Sequence, residues 1–126
     1  MSLHLLVILL TISLISASSL TSNISTDDGF ILNFAITLKY LQRALYECGL
    51  ATFAQKDFVA AGFDDPFYTN LQQIYFDQQS HAYLLNNVLL AAGIKPAVPL
   101  EFSFPYTDIS SFVKLASIIE GISVSA

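Results

Sequence analysis

Apolar side chains return at steps of three and four from Phe30 to about Cys48. Ile31, Phe34, Leu38, Leu41 and Leu45 share one broad face, the pattern of an amphipathic helix. Asp27 or Asp28 is placed to cap it, and Gly49 reads as its stop. "FAQKDFVAAGF", residues 53 to 63, reads as a connector with one short helical turn. A second helix is expected from about Pro66 to Ala92, with Asp64 or Asp65 as cap and proline in its first turn. Phe67, Leu71, Ile74, Gln78, His81, Leu85, Val88 and Ala92 alternate steps of four and three, the inward seam of a helix bundle. Gly93 ends that helix and Pro96 prevents its continuation. Residues 94–107 hold three prolines and alternate Leu100, Phe102 and Phe104, so they predict an extended crossover. Thr107 or Asp108 then caps a third helix from about Ile109. Its apolar side is Phe112, Val113, Ala116 and Ile119, and Glu120 lies on the Val113–Ala116–Val124 stripe. The order is helix, helix, long crossover, helix: an all-α bundle with one face open.

The start of the chain has a different pattern. Leu5 to Leu10 is an unbroken apolar run, followed by Ile12, Leu14 and Ile15 and then by Ser16-Ala17-Ser18-Ser19. This predicts a secretory signal peptide over residues 1–19, cut near Ala17 or Ser19, and a secreted product. The other reading is an uncleaved anchor, but the run is short for a span and has no basic flank. Residues 20–29 form a polar lead-in, in which Asn23-Ile24-Ser25 is a glycosylation sequon. The helical domain then covers residues 30–126.

Composition narrows the function classes. The 126 residues are 54% hydrophobic and 12% charged, enough for one small folded domain. The net charge of −5 argues against nucleic acid and anionic membranes as partners. Cys48 is the single cysteine, so neither an internal disulfide nor a cysteine zinc site is available. It reads as a small buried residue, with pairing to another chain as the alternative. No Ser-His-Asp order, Gly-rich phosphate loop or paired acid/base carboxylates stands out.

Gln78 and His81 pose the chemical question, because both lie three apart on an otherwise apolar seam. A histidine there is, by residue type, more often a satisfied core residue than a ligand. Asp77 and His81, four apart, could form an improvised metal face, but Asp77 is off the seam. Tyr40, Tyr46, Tyr75 and Tyr83 read as packing residues with a polar tip, and Glu47 and Glu101 as surface charges.

A family resemblance rests on motifs spread along the whole mature chain. "AAG-x-KP" at 91–96, "FPYTD" at 104–108, "SFV-x-LA" at 111–116 and "EG-x-x-VSA" at 120–126 occur in order. With "ILNFAITLKYLQRALYECGL" before them, the chain resembles the ferritin-like domain of secreted fungal stress-response proteins, relatives of plant and bacterial desiccation-related proteins. The resemblance implies a ferritin-like bundle with three of its four helices present, the long crossover lying between helices 2 and 3. Such bundles build a di-metal centre from one Glu on each of two helices and Glu-x-x-His on each of the others.

The resemblance places that kit on Lys39 and Gln42, where the family has acids, on Gln78-x-x-His81, where it has Glu-x-x-His, and on Glu120. Only His81 and Glu120 keep ligand chemistry. The fourth helix, with its own Glu-x-x-His, is missing, which implies an incomplete chain or a face covered by another copy. Lys39 would supply positive charge in place of a cation, paired with Glu120 and hydrogen-bonded to Gln78 and His81. The expectation is therefore a secreted, non-catalytic protein with a degenerate metal site and no cofactor, in a stress or desiccation setting. The alternatives are an iron or manganese centre on His81 and Glu120 completed by dimerisation, and a carrier of apolar ligands on the open face.

Overall fold

The computed structural model describes residues 24–125. The expected leader, residues 1–19, and Asn23 lie outside the described residues. Those described form four helices and no strand: α1 Thr26–Thr52, α2 Gln55–Ala60, α3 Phe67–Ala91 and α4 Ile109–Ser125. None is long and apolar enough to cross a membrane.

α1 starts earlier and ends later than its apolar pattern suggests. Ser25, rather than Asp27 or Asp28, is the cap. Its Oγ accepts from the Asp28 amide at 3.1 Å, and Asp28 Oδ2 accepts from the Ser25 amide at 3.1 Å. This reciprocal box satisfies two orphan donors of the first turn. Gly49 does not stop the helix, which runs one turn further, to Thr52. Gly49 is buried, and a Cβ there would collide with the Phe112 ring. Glycine here serves close approach between α1 and α4, not a turn. Cys48, expected inside, is exposed. Tyr46 and Gly49 point inward, so the helical period turns residue 48 outward.

Both turns that follow are defined. α2 exists to bury Phe58, whose ring meets Phe53, Phe67, Tyr68 and Phe112 at centroid distances of 5.7–6.2 Å. α3 begins after Pro66 without a side-chain cap. Asp65, one of the expected caps, instead accepts from Gln55 Nε2 at 2.7 Å. Gly93 closes α3 as expected, at φ 72°. The Ile94 amide donates to Leu89 O and the Gly93 amide to Leu90 O, a Schellman closure that needs the left-handed glycine.

Asn33 ties the crossover to α1. Its Oδ1 accepts from the Ala97 amide at 2.6 Å, and its Nδ2 donates to Lys95 O at 3.3 Å. Residues 94–107 have no helix or strand. Phe102, Phe104 and Tyr106 turn inward and stack at 6.3 and 6.4 Å, while Glu101, Ser103 and Pro105 face out. Asp108 caps α4: its Oδ1 accepts from the Ser111 amide at 2.7 Å, and Ser111 Oγ accepts in return from the Asp108 amide.

The core has two apolar clusters. One gathers Leu45, Tyr46, Phe58, Leu71, Ile109, Phe112, Ala116 and Ile119; the other gathers Ile36, Tyr40, Ala82 and Leu89. The crossover spans both, with Phe102 on the second cluster and Phe104 and Tyr106 on the first. α4 therefore starts at the same end as α3, and α1 runs antiparallel to both. Along α1, Lys39 and Gln42 fall between or beside the members of the two clusters. Along α3, Gln78 and His81 fall between Leu71 and Ala82. A polar belt thus crosses the bundle at mid-height.

Candidate functional site

Helix periodicity decides what enters that belt. Gln42 lies on α1 and Gln78 on α3, and both are enclosed, Gln42 at 0% exposure and Gln78 at 4%. An amide placed there must find a partner or leave a polar atom bare. Gln42 Oε1 accepts from Lys39 Nζ at 2.9 Å. Gln42 Nε2, Gln78 Oε1 and His81 Nδ1 have no hydrogen-bond partner.

α4 supplies the only carboxylate among the sequence-derived site residues. Glu120 Oε1 accepts from Tyr46 Oη at 2.8 Å, while Oε2 is buried and unpartnered. Lys39 therefore does not hydrogen-bond Glu120, Gln78 or His81, as the sequence had suggested. Its partner is Gln42, one turn along the same helix, and Glu120 is taken by Tyr46. The i, i+3 spacing brings Lys39 and Gln42 together within one face, and Tyr46 reaches Glu120 because α1 and α4 cross closely at Gly49.

Glu120 and Lys39 still feel each other at longer range. Burial pushes the Lys39 amine below its ordinary value, and the Glu120 charge pulls it partly back. His81 is held below its ordinary value, first by burial, then by the positive charge of Lys39, against a smaller opposing pull from Asp77. Burial and the adjacent Glu120 push the Tyr46 phenol well above the usual range. Tyr46 thus stays protonated and remains a donor. Arg43, one turn beyond Lys39, lies 5.8 Å over the Tyr40 ring, a cation–π distance.

The five positions singled out in the sequence, Lys39, Gln42, Gln78, His81 and Glu120, therefore supply one lysine, two amides, one imidazole and one carboxylate. No group of three or more His, Cys, Asp or Glu that could hold a metal ion occurs among the described residues. Asp77 accepts from Gln73 Nε2 at 2.9 Å. Tyr46 is the member that residue-by-residue reading placed only in the packing. The signal that finds it is its seven-residue offset from Lys39 on the inward side of α1, opposite the Glu120 stripe. Tyr83, also read as packing, is 69% exposed.

No curated protein matches the chain. The family model of the ferritin-like domain matches residues 27–126, which takes in every described helix but the first residue of α1. An all-helical chain with antiparallel long helices, an extended crossover and a polar belt at mid-bundle, matched over that length, belongs to the ferritin-like domain family.

Proposed function

We propose that this ferritin-like domain works without a metal, as a structural or interaction protein outside the cell. The observation that carries the reading is the Lys39–Gln42 hydrogen bond in the polar belt. A di-metal centre needs several anionic oxygens to bridge and balance its cations. Here one carboxylate is present, and one of its oxygens already accepts from Tyr46. The Lys39 ammonium interacts with it electrostatically, and a positive charge there repels a divalent cation. The donor set does not fit the metal that the fold implies, and no metal-dependent step is derived from it.

Lys39 instead gives Glu120 a positive neighbour, and the amides, imidazole and phenol line a metal-free polar core. The leader pattern over residues 1–19 supports secretion, and the resemblance to stress-response and desiccation-related proteins supports that setting. Elemental analysis of secreted, size-fractionated protein tests the reading. The expected result is negligible iron and manganese in every fraction. Stoichiometric metal, in monomer or dimer, would overturn it and favour a centre on His81 and Glu120.

A further inference from the structure

A cavity of about 130 Å³ lies between the early turns of α1 and the last turns of α4, lined by Ile31, Phe34, Ala35, Leu38, Lys39 and Ser123. Its walls are hydrocarbon from one helix face. Ile31 and Phe34 are 61% and 50% exposed, so that end is open. The Lys39 end is polar. Lys39 Nζ uses one of its three N–H groups on Gln42, and Ser123 Oγ is buried without a partner. Drop either polar group and this would be an ordinary apolar dent. Together they make a trough with hydrocarbon sides and a cationic, hydrogen-bonding end.

The geometry points to an aliphatic carboxylate, of the fatty-acid class, as the ligand of this trough. Its carboxylate meets Lys39 Nζ and Ser123 Oγ, and its chain lies along Leu38 and Ala35 toward the exposed Phe34 and Ile31. A neutral apolar ligand would cover the same walls but leave the ammonium and hydroxyl unmet, which is costly for buried groups. A divalent cation would face an ammonium. The volume is below the roughly 300–1,000 Å³ of pockets that enclose a drug-sized molecule. The cavity therefore takes the head and first methylenes, and the rest of the chain lies on exposed Phe34 and Ile31. Glu120 is the opposing charge. It lies one turn before Ser123 on α4 and acts on the same lysine, so it competes with an incoming carboxylate. The inference rests on Lys39 remaining free of a neighbouring metal.

Titration calorimetry of the full chain with decanoate, and with decanol as the uncharged control, tests it. Decanoate should bind saturably, one per chain, and more tightly than decanol. Lys39→Met should weaken decanoate about tenfold or more, the scale of a lost charge-assisted hydrogen bond, and leave decanol unchanged. Glu120→Gln should tighten decanoate while Tyr46 keeps an acceptor. If Lys39→Met does not fold, the Glu120→Gln gain and the decanol comparison decide. The proposal is overturned if decanoate shows no saturable binding below its micelle-forming concentration. Equal binding of decanol and decanoate, indifferent to both substitutions, overturns it as well. Metal content, measured separately on untreated protein, tells failure of the metal-free reading from failure of this one.

Discussion

At the scale of single residues, Tyr46 and Glu120 decide whether the polar belt is tolerated. Tyr46 Oη supplies the only hydrogen bond that Glu120 receives in the belt. Tyr46→Phe removes it and leaves a buried carboxylate with both oxygens unmet. It should cost about 1–3 kcal/mol, the penalty of an orphaned buried polar group. Glu120→Gln keeps the acceptor and deletes the charge, so it should cost less than Tyr46→Phe. Urea unfolding of the two variants gives the order, and a Tyr46→Phe protein as stable as the parent would show that the bond contributes nothing. His81 makes a separate, pH-dependent statement. Its folded value is depressed by burial and by Lys39, against Asp77. The unfolded chain therefore takes up the proton first, as pH falls below the ordinary histidine value of about 6.5. Stability is fully present above that value and is lost as pH falls toward the folded one. The parent's urea midpoint should drop as pH falls below about 6.5, and that of His81→Gln should drop less. Asp28 and Asp108 are also depressed, by their capping bonds, but the stability they add is lost only in the carboxylate range, below this window.

At the scale of elements, the long helices were legible because each repeats its apolar face several times. The α3 seam from Phe67 to Ala92 has no exposed member in the fold. Ends were less legible, because a cap is a contest between neighbouring residues. Ser25 wins over Asp27 and Asp28 because a box with Asp28 satisfies two amides at once. Gly49 looked like a stop because local sequence cannot show the ring of Phe112 sixty-three positions later. The crossover was predicted to be extended, but its anchor was not. Asn33 accepts from one crossover amide and donates to one crossover carbonyl, contacts between residues more than sixty positions apart. Asn33→Ala should loosen residues 94–100 with little effect on the helices. Amide exchange at Ala97 should rise at least several-fold, in line with loss of a bond of about 1 kcal/mol. Unchanged exchange there would mean that stacking of Phe102, Phe104 and Tyr106 holds the segment unaided.

At the scale of the molecule, the first turns of α1 carry exposed apolar surface. Ile31 and Phe34 on those turns are 61% and 50% exposed. Phe30 is 75% exposed, and Phe76, Leu90, Ile118 and Ile122 add further apolar surface. Such a surface favours association. We expect sedimentation to show concentration-dependent self-association, reduced by the double substitution Phe30→Ser and Phe34→Ser. A parent chain that stays monomeric across the accessible concentration range would contradict this.

The family resemblance singled out Lys39, Gln42 and Glu120, whereas the bare pattern of residues was enough for the all-helical class, the order of the long helices, the extended crossover and Gln78 and His81 on the α3 seam. The latter depend on periodicity, proline and side-chain chemistry, which are local and repeat along the chain. Packing between helices settled which of those polar groups meet across the bundle. The Lys39–Gln42 bond follows from their i, i+3 spacing on α1, but packing brought Glu120 to Tyr46 and set Lys39 and Ser123 at one end of an apolar trough. Those outcomes depend on how closely α1 and α4 approach at Gly49. That distance is set by packing between residues far apart in the chain, and no local pattern encodes it.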